Sequence, residues 1–351
     1  MPPKSCPSPI LVTGGAGFIG AHLVRELLEA GARVRVLDDL SSGRAENLPL
    51  DHERLTFRQV DLRDPEAWFA GAPSESERIV HMAAVVGVQR VLADPEGCWN
   101  AHLAMAAAGE AFARAAGHRG LVHLSTSEVY RPSRQPLNED AAVWSEGDAG
   151  WGQGRWAYAC SKREVERRWT AVFGDAVSHV RLFNVVGPGQ SARSGMVLPR
   201  FVEAVRAGGE PPIHGDGSQV RTFGHVRAVA RDLADWVLRD QRPGGALNLG
   251  GTAVTTVRDL AKLVLAQAGR STQGPLPAVS GAPLEEVAYR VPDLDRARAE
   301  GLIARPWDLE AIVADAWHHH PRPTSDSRSH AHSPHPHAPQ PGRPGAAGAC
   351  Q

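Results

Sequence analysis

Residues 10–20, with the sequence I-L-V-T-G-G-A-G-F-I-G, limit what this chain can fold into more than any other stretch. The apolar run 10–12 predicts a short buried strand, and the amphipathic run 18–30 predicts a helix. Between them, the spacing G-x-x-G-x-x-G is made by Gly14, Gly17 and Gly20. Glycine lets the backbone approach a ligand closely, and the helix start offers free N–H groups and a partial positive charge. This order of elements predicts a pyrophosphate site rather than a glycine-rich turn without a ligand.

Strands and helices alternate through the first half of the chain. Apolar runs predict further strands at 33–37, 55–60, 78–84, 121–125, 178–183 and 246–250. Amphipathic or Ala-rich runs predict helices at 99–116, 157–173, 197–207, 228–239, 256–269 and 310–317. Alternation at this spacing predicts an α/β fold with a doubly wound parallel sheet of the Rossmann type. The second half is less regular, with a predicted short strand and hairpin at 211–217, so we expect a smaller, mixed α/β C-terminal domain.

The expected domains follow from this pattern. Residues 1–185, with a return segment at about 222–250, should form the sheet domain, and residues 186–317 mainly the smaller domain. From residue 318 the chain is rich in His, Pro, Ser and Gly, which predicts a disordered tail at 318–351. The histidines of this tail could bind a metal ion loosely, but a solvated tail is favoured and no metal site is predicted.

Charge, apolar patterning and cysteine placement exclude several classes of protein. Lys and Arg total 38 and Asp and Glu total 39, so no surface for nucleic acid or an anionic membrane is predicted. No apolar run reaches the roughly eighteen residues that a membrane span needs. The four cysteines are far apart and form no C-x-x-C pair, so we expect reduced thiols and a cytoplasmic protein.

The predicted second strand ends in an acidic pair, Asp38-Asp39, about twenty residues after the glycine loop. A carboxylate at this place accepts hydrogen bonds from the ribose hydroxyls of an adenosine. It would repel the 2′-phosphate of NADP, so the pattern favours NAD, although Arg44 lies in the following loop. A solvated acidic pair at a strand end is the alternative. The predicted fourth strand runs into small residues such as Ala83, against which a flat cofactor can lie.

Two further segments carry residues suited to a redox step. The segment 125–130, S-T-S-E-V-Y, ends the predicted fifth strand, where hydroxyl groups point into the crevice in which doubly wound folds bind ligands. Tyr158 and Lys162 lie one turn apart on a predicted helix, so the ammonium should stabilise the phenolate and lower the tyrosine pKa. Tyr158 could then take a proton from a substrate hydroxyl while a hydride leaves the same carbon for a nicotinamide, with Thr126 bonded to the reacting oxygen.

With these segments in place, the chain resembles the extended short-chain dehydrogenases/reductases. Within that family it is similar to the NAD-dependent nucleotide-sugar epimerases, dehydratases and decarboxylases, over about residues 9–317. The segments that carry the resemblance are T-G-G-A-G-F-I-G, L-D-D-L-S-S-G, H-M-A-A, S-T-S-E-V-Y, Y-A-C-S-K, R-L-F-N-V-V-G-P, M-V-L-P-R-F-V, G-D-G-S-Q-V-R-T-F-G-H-V and R-V-P-D-L.

The resemblance implies catalytic and substrate-binding roles. Tyr158 matches the catalytic base, Lys162 its partner and a ligand of the nicotinamide ribose, and Thr126 the hydroxyl of the triad. The residues that match contacts to the diphosphate of a nucleotide sugar are Asn184, Arg221 and Arg290. Planar guanidinium groups suit such bidentate recognition. The segments 196–201 and 213–214 are expected to hold the nucleobase.

The resemblance also implies an NAD site and a partner. Asp38 matches the ligand of the adenosine ribose, Asp61 and Leu62 flank the adenine, and Asn100 matches the buried asparagine of the central helix. The other residues expected around NAD are Gly14, Gly17, Phe18, Ile19, Gly20, Ala83, Tyr158 and Lys162. The helices that begin near Asn100 and Tyr158 are those through which such enzymes commonly pair, so the resemblance implies a homodimer.

The residues after Thr126 bear on which activity of the family to expect. A 4,6-dehydratase would carry Asp-Glu there to eliminate water, whereas this chain has Ser127-Glu128. Decarboxylases of UDP-glucuronate carry Thr-Ser-Glu with an arginine near an R-x-P-D segment, which Arg290 matches. A 4-epimerase needs only oxidation, rotation and re-reduction of the sugar. We therefore expect a nucleotide-sugar 4-epimerase acting on a UDP-hexose or UDP-hexuronate; decarboxylase, dehydratase and a non-catalytic NAD-binding protein are the alternatives.

Overall fold

The larger sheet has the predicted doubly wound form. The computed structural model describes residues 9–72, 76–192, 195–273, 276, 287–303 and 306–320. Seven parallel strands make this sheet: β1 (Ile10–Thr13), β2 (Val34–Asp38), β3 (Leu55–Gln59), β4 (Glu77–His81), β5 (His118–Thr126), β6 (Val177–Phe183) and β9 (Gly245–Gly250). Their spatial order is β3-β2-β1-β4-β5-β6-β9, so the winding reverses between β1 and β4. Ligands of such folds bind at the carboxyl ends of the strands beside this reversal.

Helices bury both faces of the sheet, which explains why its strands are almost continuously apolar. The helices α1 (Phe18–Glu29) and α6 (Val226–Leu238) cover one face, and α3 (Pro95–Ala116) and α4 (Trp156–Phe173) cover the other. Side chains alternate along each strand, so Ile10 and Val12 pack with the first pair of helices, whereas Leu11 packs with the second. The two cores fix α4, and with it Tyr158 and Lys162, against the sheet.

A smaller mixed sheet is formed by later segments of the chain, with β9 of the larger sheet lying between them in sequence. It consists of β7 (Val185–Val186), β8 (Val220–His225), β10 (Ala253–Thr256) and β11 (Tyr289–Arg290). The strand β8 is antiparallel to β10 and parallel to β7 and β11. Its core includes residues of α5 (Val197–Arg206), α7 (Val257–Gln267) and α9 (Leu309–His319). The hydroxyl of Thr256 caps α7 by accepting a 3.0 Å hydrogen bond from Asp259 N.

Several elements differ from those expected. The sequence pattern did not predict α2 (Val88–Ala93), the short α8 (Asp295–Ala299) or the strands β7, β8, β10 and β11 of the smaller sheet. Residues 211–217, where the sequence predicted a short strand and hairpin, form no strand. Pro211 and Pro212 have no N–H to donate to a ladder. The segment Pro65–Phe69, directly after Asp64, is a 3-10 helix. Further 3-10 helices lie at Ala45–Asn47, Ser127–Val129 and Gly174–Ala176.

The start of the predicted disordered tail is also corrected. The last helix continues to His319, two residues beyond its expected end at Trp317. The rings of His318 and His319 donate to the carbonyls of Ala314 and Asp315, four residues back, so both side chains fold onto the last turns of the helix. Residues 321–351 of the predicted tail lie outside the described residues.

Two predictions from the sequence concern membrane-spanning helices and the state of the cysteines. In the ranges that the structure describes, no helix is both long enough and apolar enough to cross a bilayer. Cys98 and Cys160 are buried free thiols, and Cys6 and Cys350 lie outside the described residues.

Candidate active site

The glycine loop packs backbone against backbone at the carboxyl end of β1. Gly14 has φ +72°, and a Cβ placed on it would lie 2.7 Å from the backbone nitrogen of Ala83, just after β4. A Cβ on Gly20 would collide with the carbonyl oxygen of Gly14. Between the two strands, the Thr13 hydroxyl accepts hydrogen bonds from the backbone nitrogens of Met82 (3.2 Å) and Ala83 (3.3 Å). The loop and the exit of β4 therefore form one tight backbone cradle.

The first turn of α1 opens onto this cradle. The N-cap residue is Gly17, which has no side chain to cap the helix. No acidic residue lies in the first turn. The N–H groups there are thus free to bind an anion, and the helix dipole favours one. Phe18 and Ile19, both expected at the cofactor, are partly buried in this turn.

Asp38, at the end of β2, braces the glycine loop. Its two carboxylate oxygens accept hydrogen bonds from Ala16 N (2.9 Å) and Leu40 N (2.8 Å). Burial raises the pKa of Asp38, while these two hydrogen bonds act in the opposite direction. Each carboxylate oxygen keeps a lone pair, so the group can still accept from a ribose hydroxyl. That ribose contact remains a prediction.

The expected adenine residues lie beyond β3, which neighbours β2. Leu62 is buried, and its carbonyl accepts a 2.9 Å hydrogen bond from Trp68 Nε1. The Asp61 side chain is about half exposed and forms an ion pair with Arg63, whose hydrogen bonds lower the pKa of that carboxyl. The carboxyl ends of β3, β2, β1 and β4 therefore bring to one edge, in that order, the residues predicted for the adenine, the ribose and the pyrophosphate and the small residues around Ala83.

The expectation that Asn100 is the buried polar residue of the central helix is wrong. Asn100 is exposed, and His102 is buried. Two residues turn a helix by about 200°, which places Asn100 opposite the side that faces the sheet. The sequence carried a signal for His102, since Met105 and Gly109, three and seven residues further on, continue the buried stripe.

Lys162 lies where the sequence analysis expected it, buried beside the end of β5. Its ammonium donates a 2.8 Å hydrogen bond to the carbonyl oxygen of Leu124. Burial lowers the pKa of Lys162 to about 8, opposed by the nearby Cys98 thiol and Glu166 carboxylate. The lysine therefore carries a charge that is costly to bury and is retained at neutral pH.

Tyr158 also lies at the end of β5, but its pKa differs from the expected direction. Burial raises it, the negative charge of Glu128 and the Cys98 thiol raise it further, and a hydrogen bond with Thr126 opposes the shift. The sequence analysis expected Lys162 to lower this pKa. In the structure the lysine ammonium is bonded to Leu124 O, and the Glu128 carboxylate is the charge that shifts the pKa of the phenol.

The residues after Thr126 form a short 3-10 helix. The Thr126 hydroxyl caps it by accepting a 3.2 Å hydrogen bond from Glu128 N. Ser127 is buried. Glu128 accepts a 3.1 Å hydrogen bond from Arg290 Nη1, which joins residues 162 positions apart in the sequence. Two residues predicted for separate functions, one catalytic and one substrate-binding, are thus a single ion pair next to Tyr158.

The predicted substrate residues converge on the smaller sheet. Arg221 on β8 and Arg290 on β11 are direct register partners on adjacent parallel strands. Asn184, at φ +29°, donates through its side chain to Thr222 O (3.0 Å) and accepts through its carbonyl from Gly224 N (3.1 Å). The expected nucleobase segments also meet, since Arg200 Nη1 lies 3.3 Å from His214 Nε2. No group of three or more His, Cys, Asp or Glu residues that could hold a metal ion occurs among the residues described.

Comparison with known proteins identifies the family. The model of the NAD-dependent epimerase/dehydratase family matches residues 10–250, more than half of the chain. The chain belongs to the NAD-dependent epimerase/dehydratase family. It is thus an NAD-dependent enzyme, and the cradle at Gly14, the free N–H groups of α1 and the Asp38 carboxylate fit that cofactor.

Relatives of known activity cover nearly the same length as this chain. The UDP-glucose 4-epimerase of Mycolicibacterium smegmatis is 32% identical over 87% of this chain and 95% of its own length. The UDP-N-acetyl-α-D-glucosaminuronate decarboxylase of Bacillus cytotoxicus is 28% identical over 82% and 90%. The solved structure of the dTDP-glucose 4,6-dehydratase DesIV of Streptomyces venezuelae, with NAD bound, has a TM-score of 0.76 and 29% identity over 88% and 96%. Members of the family thus differ in activity at similar distances from this chain.

Proposed function

We propose that this protein is a nucleotide-sugar 4-epimerase that acts through a 4-keto intermediate. The observation that carries the proposal is that the Thr126 hydroxyl, the Tyr158 phenol and the buried Lys162 ammonium meet at the end of β5, which adjoins the cofactor cradle. In the same turn Ser127 stands where a dehydratase would need a carboxylate. The site holds what is needed to oxidise a sugar hydroxyl and reduce it again.

Each residue has a defined task in this scheme. NAD supplies the hydride acceptor for C4 of the sugar and the hydride donor when the intermediate is reduced. Tyr158 takes the proton of the sugar's 4-hydroxyl and returns it to that oxygen when C4 is reduced in the other configuration. The Thr126 hydroxyl is hydrogen-bonded to the same oxygen. Because burial raises the pKa of Tyr158, its phenolate needs a cation, and Lys162 is the buried cation one turn further along α4.

The smaller sheet supports a nucleotide diphosphate as the other part of the substrate. Arg221 and Arg290 stand side by side in the β8–β11 register, and Asn184 is held against β8. Two guanidinium groups on neighbouring strands suit the charge of a diphosphate. The epimerase among the relatives acts on a UDP-sugar by its name, so a UDP-hexose or UDP-hexuronate is the substrate class that we propose.

A decarboxylase is the second candidate, and one observation favours it. The Glu128–Arg290 pair places a carboxylate and a guanidinium beside Tyr158, where a C6 carboxylate could be bound or lost. The similarity to a decarboxylase of a UDP-sugar acid agrees with this reading.

Product identification separates the two. The protein with NAD is incubated with UDP-glucose, UDP-N-acetylglucosamine, UDP-glucuronate and dTDP-glucose, and the products are followed by NMR. A 4-epimer with no loss of carbon supports the proposal. Release of carbon dioxide and a UDP-pentose from UDP-glucuronate would overturn it, as would a 4-keto-6-deoxy product from dTDP-glucose.

Tyr158→Phe tests the catalytic scheme itself. Removal of the base should lower turnover by about 10²–10⁴-fold, while NAD bound per protomer stays unchanged. Conversion that is equal in the variant and the wild type would show that Tyr158 is not the base.

A homodimer paired through α3 and α4 and a cytoplasmic location remain proposals. The dimer can be tested by sedimentation at micromolar concentration, where a monomer alone would rule it out.

A further inference from the structure

His102 on α3 is a buried imidazole that the proposed mechanism does not use. Only 2% of it is exposed. Its Nε2 lies 2.8 Å from the backbone nitrogen of Val85, and its Nδ1 lies 2.7 Å from the hydroxyl of Ser161. The ring also packs edge-on against Tyr158, with 5.7 Å between ring centroids.

These contacts fix one protonation state of the ring. A backbone nitrogen can only donate, so Nε2 of His102 must accept from Val85 N. A neutral imidazole then carries its proton on Nδ1 and donates it to Ser161, whose hydroxyl donates onward to the Tyr158 carbonyl at 3.0 Å. Burial and the nearby charge of Lys162 lower the pKa of His102, which agrees with the neutral ring.

Each end of this link reaches a different part of the site. The Val85 end belongs to the β4 exit, where Thr13 bonds the nitrogen of Ala83 and Gly14 allows no side chain. The Ser161 end belongs to the turn of α4 that carries Tyr158. His102 is thus bonded to the backbone of the cofactor cradle on one side and to the catalytic helix on the other.

We propose that His102 is a positioning residue that sets the place of Tyr158 relative to the cofactor cradle. Its neutral ring accepts a hydrogen bond from Val85 N and donates one to Ser161, and it thereby holds the 82–85 segment and the helical turn of Tyr158 at a fixed separation. The proposal rests on the proposed function for the role of Tyr158, while the link itself involves only residues of this chain.

Three variants of the NAD-bound protein test the link. His102→Leu keeps much of the volume and removes both hydrogen bonds. His102→Gln retains an amide that can reach the Val85 nitrogen. His179→Leu is the matched control, since His179 is equally buried at 2% exposure and bonds two side chains, those of His123 and Thr170. It lies on β6 and contacts α4 at Thr170, near the C-terminal end of that helix.

Two readouts are measured for each variant: amide hydrogen exchange of a peptide that spans 82–86, and turnover of the nucleotide sugar with its KM. His102→Leu should speed the exchange at least tenfold and lower kcat at least tenfold with KM within about threefold. His102→Gln should recover most of both effects. His179→Leu should lower the melting temperature without either effect.

The proposal fails if His102→Leu matches His179→Leu in both readouts, or if only one readout changes. It also fails if His102→Gln behaves as His102→Leu, because the hydrogen bond to Val85 would then not matter. Hydrogen exchange needs no substrate, so an absence of conversion in the wild type would defeat the proposed function while the exchange comparison still decides the link.

Discussion

The carboxyl edge of the seven-stranded sheet and the smaller sheet are built in different ways. At the edge, Gly14 and Gly20 bring backbone against backbone, so even one added methyl group collides. In the smaller sheet, Arg221, Arg290 and Asn184 are held through side-chain and strand contacts, and Arg290 completes an ion pair with Glu128. The first region is set by the shape of the main chain and the second by the chemistry of its side chains.

This difference agrees with the roles that we propose for the two regions, a cofactor site and a substrate site. A backbone cradle accepts one shape, which suits a cofactor common to all members. Side-chain contacts can be exchanged without a change of fold, which suits a region that selects among nucleotide sugars. The relatives of this chain include an epimerase, a decarboxylase and a dehydratase, in agreement with such a division.

The largest expected effect comes from filling the cradle. Gly14→Ala should abolish NAD retention and lower the free energy of unfolding by about 3–5 kcal/mol, because the new Cβ meets the Ala83 backbone, which cannot move cheaply. Equilibrium unfolding and the ratio of NAD to protein in the purified sample measure the two effects.

Gly269→Ala is the matched control for that substitution. Gly269 has φ +67°, close to +72° at Gly14, but no atom lies within 4 Å of its Cβ position. It should cost only the backbone strain of about 1–2 kcal/mol and leave NAD bound. Equal losses in the two variants would mean that backbone strain, and not the closed cradle, limits position 14.

A smaller effect is expected from the smaller sheet. Arg290→Leu should raise the KM for the nucleotide sugar about tenfold or more, because a partly buried charged hydrogen bond to Glu128 and the proposed contact to the diphosphate are lost. NAD retention should stay within twofold of the wild type. Steady-state kinetics and cofactor content provide the measurement.

Arg298→Leu serves as the control for a lost guanidinium, since Arg298 is about half exposed and pairs with the neighbouring Asp295. It should leave KM unchanged. If Arg290→Leu released NAD as well, the division between a cofactor edge and a substrate sheet would be wrong.

The smallest effect concerns stability against pH at Lys162. Its pKa in the folded chain is about 8, below the ordinary 10.5, so the cost of burying the ammonium is fully present below pH 8 and fades as the pH rises towards 10.5. Allowing for the lost hydrogen bond to Leu124, Lys162→Met should stabilise the NAD-free protein by about 1–2 kcal/mol at pH 7 and by less at pH 10. Turnover should be lost.

Denaturant unfolding at the two pH values measures this change, and Lys262→Met, at an exposed lysine on α7, should alter neither value. If Lys162→Met were less stable than the wild type at pH 7, the interactions of the buried ammonium would outweigh the cost of burying it.

Much of the fold could be predicted because it depends on short-range patterns. The strand, glycine loop and first helix lie where the apolar run and the glycine spacing predicted them. Tyr158 and Lys162 share a helix face by their spacing alone. The strand β8 was missed because it carries Arg221 and Thr222 among its apolar residues and is stabilised by three partner strands that sequence does not reveal.

The sequence by itself thus determined the sheet and the glycine cradle, and it singled out Thr126, Tyr158 and Lys162 as the proposed catalytic groups, since each follows from spacing along one segment. Only the tertiary structure decided that His102 rather than Asn100 is buried, that Glu128 pairs with Arg290, and that Lys162 bonds Leu124. Those outcomes depend on helix rotation and strand register, which arise when segments far apart in the chain pack together.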